Sequence, residues 1–160
     1  MNNNDMKVRK ATLDDIELLI QLRIDYLLDE SKVKSIDDIE KIKIDLRVYL
    51  NKWIPNNGFI AYIAENNNVV LSTAFLSIVE RPPRKANSSY LVGTVYNVYT
   101  YPEYRKQGIA SKVMNALLIE AKSLNVAYVD LLSTDAGLPL YNKLGFEIIK
   151  DYTSMRLKIV

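Results

Sequence analysis

The sequence predicts an α+β domain built on a mixed β-sheet with helices on its faces. Three observations predict it: apolar spacings of three and four before residue 54 and again after residue 108, extended β-branched and aromatic runs between residues 59 and 99, and a strand, helix, strand succession from residue 89 to 133. That succession implies a parallel pair joined by a right-handed βαβ crossover.

Element by element, Met6 to Arg9 reads as a short strand after a polar tail. Thr12 with Asp15 three residues on forms an acidic variant of a capping box, opening a helix that carries Ile16, Leu19, Ile20 and Leu27. Ser35, followed by Asp37 and Asp38, starts a second helix with Ile39, Ile42, Leu46, Tyr49 or Leu50, and Trp53 on one face; Pro55 and Asn56-Asn57-Gly58 end it. GFIAYIAE, a turn at Asn66 to Asn68 and VVLSTAFLSIVE read as a hairpin. Arg81 to Ser88, RPPRKANS, is a loop, because its prolines cannot continue a central strand. A long strand follows over Ser89 to Tyr99.

Ile109, Val113, Ala116 or Leu117, Ala121 and Leu124 mark one face of a helix of about 17 residues, widened by Leu118 and Ile119. AYVDLLS, Ala127 to Ser133, is nearly continuous apolar sequence and predicts a strand buried on both faces. Pro139 suits the first turn of a short helix through Leu144, Gly145 ends it, and final strands are expected at Phe146 to Lys150 and Met155 to Val160.

With 160 residues, 49% hydrophobic and 25% charged, residues 1–160 are expected to form one domain. A net charge of +2, from 21 cations against 19 acids, lacks the basic stripe of a nucleic-acid binder. Without Cys or His there is no disulfide, thiolate metal site, cysteine nucleophile or imidazole base, so no metal is expected and acid–base chemistry falls to carboxylate, Tyr, Lys, backbone or water. MNNNDMKVRK lacks the apolar core of a signal peptide, and no run reaches the roughly 18 apolar residues of a membrane span, so a cytoplasmic location and no membrane partner are expected.

The stretch YPEYRKQGIAS, Tyr101 to Ser111, turns a strand straight into a helix. Such a turn leaves unpaired backbone N–H groups at the positive end of the helix dipole, where an anion fits. Gly108 permits unusual dihedrals and close approach, Ala110 keeps the next turn small, and Arg105 and Lys106 add positive charge. Phosphate is the natural ligand, although a glycine-containing turn with solvated cations would look similar. Neither G-x-x-x-x-G-K-[ST] nor G-x-G-x-x-G is present, which removes the two commonest phosphate-binding motifs.

What stands there is R-x-x-G-x-A, formed by Arg105, Gly108 and Ala110, preceded by NVYTYPEY and followed by LYNKLGF, Leu140 to Phe146. From about Val95 to Phe146 these motifs, in this order, make the chain resemble the GNAT superfamily of acyl-CoA-dependent N-acetyltransferases. The resemblance implies a twisted mixed sheet of about six to seven strands, helices on both faces and central parallel strands that splay apart. It also implies acetyl-CoA or coenzyme A as co-substrate. The backbone of Arg105, Lys106, Gln107, Gly108, Ile109, Ala110 and Ser111 would cradle the pyrophosphate, and Val98, Tyr99 and Thr100 would receive the pantetheine arm. Thr134 stands at a pantetheine-contacting position where members often carry Asn, and Tyr141 matches the tyrosine placed near the thioester sulfur. That phenol, with an ordinary pKa of about 10, would protonate a departing thiolate.

The resemblance further implies direct acetyl transfer, in a ternary complex, to a primary amine of a small molecule. A protein or peptide amine, or a non-catalytic acyl-CoA sensor, is the alternative. The protein would be a monomer or a homodimer. The base is unassigned: Thr94 stands near the glutamate of histone-type members and cannot serve, and Tyr96 or Asn97 would order a water. Asp130 reads as a structural acid or a buried base. Asp25, Asp29 and Glu30, with Tyr26, read as a solvated helix end or as an attractor of a cationic amine. Arg81, Arg84 and Lys85 are loop cations that would meet an acidic acceptor or the 3′-phosphate, and Trp53 is a core anchor or a stacking platform.

Overall fold

The computed structural model describes residues 6–33, 35–82, 89–151 and 153–159. Its elements run β1 (Met6–Lys10), α1 (Ile16–Asp29), α2 (Ile36–Trp53), β2 (Phe59–Asn66), β3 (Val69–Glu80), β4 (Leu91–Thr100), α3 (Ile109–Ser123), β5 (Tyr128–Asp130) and α4 (Leu138–Lys143). Short 3-10 turns at Leu13–Asp15 and Pro102–Tyr104 lead toward α1 and α3. The five strands lie in the order β1-β2-β3-β4-β5, antiparallel except for the β4–β5 pair.

Local chemistry fixes the element ends. The Thr12 N–H donates to Asp15 Oδ2 at 2.8 Å, and Asp15 also takes both Arg9 Nη groups at 2.8 Å, which ties β1 to the start of α1. Ser35 Oγ accepts the Asp38 N–H at 3.1 Å and caps α2. Asn67 and Asn68 both sit at positive φ, 47° and 63°, which is what a two-residue hairpin turn needs to match strand twist. Gly145, at φ 89°, ends α4, with the Phe146 N–H donating to the Tyr141 carbonyl at 3.0 Å.

The sheet is buried on both faces, and strand alternation sorts its side chains. Phe59, Ala61 and Ile63 of β2 join Leu19, Leu22 and Leu50 of the α1/α2 layer. Ile60 and Ala64 join Val113, Met114 and Leu117 of α3 on the other side. Each of these leucines is fully buried and contributes about 1.5–3 kcal/mol. Trp53 packs against the α1/α2 cluster, with its ring edge so close to Gly58 that an added Cβ would lie 2.5 Å away; it is a core anchor.

The mixed sheet with helices on both faces is as the sequence predicts, with three corrections. Among the described residues the sheet has five strands rather than six or seven, because residues 146–151 and 153–159 make no ladder hydrogen bonds. Ala127 to Ser133 is a strand only over Tyr128–Asp130, at the sheet edge; with a neighbour on one side alone, Tyr128 is 41% exposed and Leu132 82% exposed rather than buried on both faces. Ile119 is 71% exposed and does not widen the α3 face, whose width comes from Met114, and α3 itself spans 15 residues. Of the expected loop from Arg81 to Ser88, residues 83–88 lie outside the described residues.

Candidate active site

The site begins with a fault in β4. Thr73 of β3 pairs with Tyr99 and Phe75 with Tyr96, so three steps on β4 oppose two on β3. The extra residue is absorbed by a bulge, where Asn97 adopts φ 52°. A buried Asn in this conformation needs tertiary support, and it has it: its Nδ2 donates to the Leu22 carbonyl at 3.3 Å, and its Oδ1 accepts from Arg23 Nη1 at 3.3 Å. On the other side, β5 pairs with β4 only over Val92–Thr94. From Val95 onward β4 has no β5 neighbour, so the parallel pair is splayed and a cleft of about 1020 Å³ opens there.

Val98, Tyr99 and Thr100 line this cleft, as do Arg105, Lys106, Gly108, Ile109, Ala110, Ser111, Thr134 and Tyr141. Gln107 does not: it is exposed, and its amide donates to the Glu103 carbonyl at 3.3 Å. Within the turn Lys106 lies at φ 61° and Gly108 at φ 75°, both left-handed, and Gly108 caps α3. This path leaves the N–H groups of Lys106 to Ser111 without a protein partner among the described residues, whereas the next one, Lys112, donates to the Gly108 carbonyl at 3.3 Å. Six consecutive unpaired donors at a helix start fit an anion such as a pyrophosphate. A Cβ on Gly108 would meet no atom within 4 Å, so the glycine is there for its backbone conformation, beside open cleft.

The cation beside the turn is more occupied than the sequence suggests. Arg105 Nε donates to the Thr100 carbonyl at 2.9 Å, its Nη2 reaches Asp29 Oδ2 at 2.7 Å, and its Cζ lies 5.9 Å from the Tyr99 ring centre. It braces the turn against β4 and α1. Thr134 is likewise structural at its polar end, with its Oγ1 accepting the Gly137 N–H at 3.3 Å.

Tyr141, on α4, is half-buried against the α3 cluster, its ring edge-on to Phe146 at 5.9 Å. Gly137 makes room for it, since a Cβ there would lie 2.8 Å from the ring. Burial raises the phenol's pKa above its ordinary value, and Tyr26 and Glu30 add to the shift. Among the described residues its hydroxyl has no hydrogen-bond partner, and because no fully buried polar atom is left unpaired, it faces the cleft.

The acids near the cleft are paired. Asp29 is held by Arg105 and Glu30 by Lys32, each at 2.7 Å, and Tyr101 donates to Asp25 at 2.5 Å. Burial, and then that bond, push the Tyr101 phenol far up. These carboxylates are therefore each held by a partner, Asp29 and Asp25 tying the C-terminal end of α1 to the turn after β4, and do not form an open acidic patch. Tyr96 is 49% exposed on the wall beside Thr94. Asp130, at the end of β5, does not reach the wall. Arg81 donates to the Tyr128 hydroxyl at 2.9 Å, and Arg84 and Lys85 lie outside the described residues. The wall residue the sequence reading missed is Arg23, set between buried Leu22 and Ile24; a lone cation inside the apolar run LLIQLRI was its available signal.

Among the described residues no His, Cys, Asp or Glu cluster is placed to hold a metal, and no helix is long and apolar enough to cross a membrane. The sequence profile of the Acetyltransferase (GNAT) family matches residues 23–146. A predicted acetyltransferase from Clostridium acetobutylicum, solved with acetyl-CoA, is 34% identical, with 94% of this chain and 96% of that one covered at a TM-score of 0.82. A GCN5-related N-acetyltransferase from Ralstonia eutropha JMP134, at 22% identity, 94% and 98% coverage and a TM-score of 0.76, shares the fold. So does an aminoglycoside acetyltransferase from an uncultured soil metagenomic sample, in complex with trehalose, at 18% identity, 98% and 100% coverage and a TM-score of 0.69. No curated protein sequence matches the chain.

Proposed function

The chain belongs to the acetyltransferase (GNAT) family, and from that premise we propose that it transfers an acetyl group from acetyl-CoA directly to a primary amine of a small molecule. The observation that carries the reading is the run of unpaired N–H groups from Lys106 to Ser111, all but Gln107 belonging to residues that line the same cleft as the unpaired stretch of β4 and Tyr141.

The donor supplies a thioester that an amine attacks, releasing a thiol. The chain's own groups do the rest. The turn holds the pyrophosphate through backbone donors that pay no reorganisation penalty, because the turn and the start of α3 already fix them. The Val98 to Thr100 edge offers main-chain hydrogen bonds to an extended amide-bearing arm, much as β5 would have done had it continued alongside. Backbone N–H groups there, of Val98 or Tyr99, stabilise negative charge that develops on a carbonyl oxygen. Tyr141, kept protonated by burial, gives its proton to the leaving sulfur. Asp29 and Glu30 on the wall are each occupied by a cation, so the ammonium proton leaves to water in the open cleft.

The test is to incubate the protein with acetyl-CoA and a broad amine panel and to follow free thiol. Thiol release dependent on an amine is expected. Coenzyme binding with no release above blank across the panel would leave a binding module and overturn the transferase reading.

A further inference from the structure

Arg23 is a cation the proposed reaction does not use. It projects from α1 into the cleft wall at the β4 bulge, next to the stretch Val98 to Thr100. Its guanidinium makes one hydrogen bond, Nη1 to Asn97 Oδ1 at 3.3 Å, and its Cζ lies 5.5 Å from the Tyr26 ring centre. Among the described residues no carboxylate lies within ion-pair distance of it, and the nearby acids are engaged: Asp29 with Arg105, Glu30 with Lys32, and Asp25 with Tyr101. Burial depresses its pKa, which marks a desolvated charge, yet arginine stays protonated at any ordinary pH.

A half-buried cation without a counter-charge is costly, and a binding site is one place where such a cost is retained. The donors are also aimed. Among the described residues no fully buried side-chain nitrogen lacks a partner, and Nε and Nη2 have none there, so they open onto the cleft that Arg23 lines. They form one edge of a planar fork, the geometry that takes two oxygens of a carboxylate or phosphate at once. Asn97 pins the fork from behind, since its other end is fixed on the Leu22 carbonyl. The site is thus held rigid at the bulge, beside the strand edge assigned to the donor's arm.

We propose that Arg23 recognises an anionic substituent on the acceptor, so that the substrate is a primary amine that also carries a carboxylate or a phosphate. This rests on the transferase reading and narrows it: simple amines and polyamines are disfavoured, and amino-acid-like or phosphorylated amines are selected.

Matched pairs test it, with β-alanine against β-alaninamide for the carboxylate and phosphoethanolamine against ethanolamine for the phosphate. Binding is measured calorimetrically on the coenzyme A-saturated protein, and turnover by thiol release. In the wild type the anionic member of at least one pair is expected to be favoured by about 10- to 100-fold, the range of charge-assisted hydrogen bonds, and the pair that responds identifies the anion. Arg23→Gln is expected to bring that ratio near one while coenzyme affinity is kept, and Arg23→Lys to restore part of it. A ratio near one in the wild type, or one that survives in Arg23→Gln, overturns the inference. Intact anion-selective binding without thiol release from any amine overturns the transferase reading and leaves the Arg23 site standing; release without selectivity does the reverse.

Discussion

Tyr141→Phe removes one oxygen and nothing else. The ring keeps its edge-on contact with Phe146 at 5.9 Å and its fit against Gly137, and the lost hydroxyl has no protein partner among the described residues. Unfolding free energy should therefore stay within about 0.5 kcal/mol of wild type, as for substitutions that break no buried contact. Turnover should not. A positioned general acid contributes about 10²- to 10⁴-fold, equivalent to about 2.7–5.4 kcal/mol at 1.36 kcal/mol per decade. The sign of the pH dependence follows from the same group. In the proposed reaction the proton donor is the neutral phenol, and burial holds its pKa above the ordinary value of about 10, so the acid form dominates across the neutral range and activity is expected to fall only as pH rises through that raised value. On the acid side, rate climbs with pH as the acceptor ammonium deprotonates. The assay is thiol release with saturating acetyl-CoA from pH 6 to 11, alongside a urea melt. The reasoning predicts a loss of at least about 100-fold in kcat, unchanged coenzyme affinity and no alkaline descending limb in the variant. Undiminished turnover with the limb still present would remove Tyr141 from the chemistry.

Two further outcomes follow from single positions. Gly108→Val forces a β-branched residue into φ 75°, costing about 1–2 kcal/mol or more in a denaturant melt, and places a side chain beside the unpaired N–H groups. Coenzyme affinity should drop even where the fold survives, and an unchanged Kd by calorimetry would contradict the cradle. Asp15→Asn breaks the bidentate pair with Arg9, whose hydrogen bond is the main reason the Asp15 pKa lies below its ordinary value. For a depressed carboxylate, stabilisation is present above the unfolded pKa of about 3.9 and is lost as pH falls through the lower folded value. The variant should be less stable by about 1 kcal/mol at pH 7, after solvent screening, and the gap should close as pH falls through that lower folded value; a gap that persists once the carboxyl is protonated would show that the charge is not responsible.

How far the sequence reaches is clearest where signals are local. The Thr12–Asp15 and Ser35 caps, the Asn67-Asn68 turn and the Pro139 and Gly145 limits of α4 need only neighbours a few residues away, so composition and spacing predict them. The turn from Tyr101 to Ser111 is legible for the same reason: its left-handed Gly108 and helix start are set by the segment itself, and ten of the eleven cofactor-binding residues read from sequence line one cleft. Burial of whole segments is less legible. Ala127 to Ser133 has the composition of an inner strand, yet its burial depends on what lies on the far side, and no strand covers β5 among the described residues.

Charge pairing between distant elements was decided by tertiary structure alone. Asp25, Asp29 and Glu30 look like a free acidic helix end in sequence, but Arg105 and Tyr101 arrive from 76 residues away to take two of them. Arg23, in the same helix, gains no such partner among the described residues and is left facing the cleft. Ion pairs form between whichever groups the fold brings within about 4 Å, and sequence spacing does not encode that distance for residues on different elements. The sequence by itself thus determined most of the elements before β5, the glycine turn that opens α3 and the place of the tyrosine on α4, all properties of short segments. Only the tertiary structure decided that β4 bulges at Asn97 and parts from β5, which acids are spent, and which cation remains available.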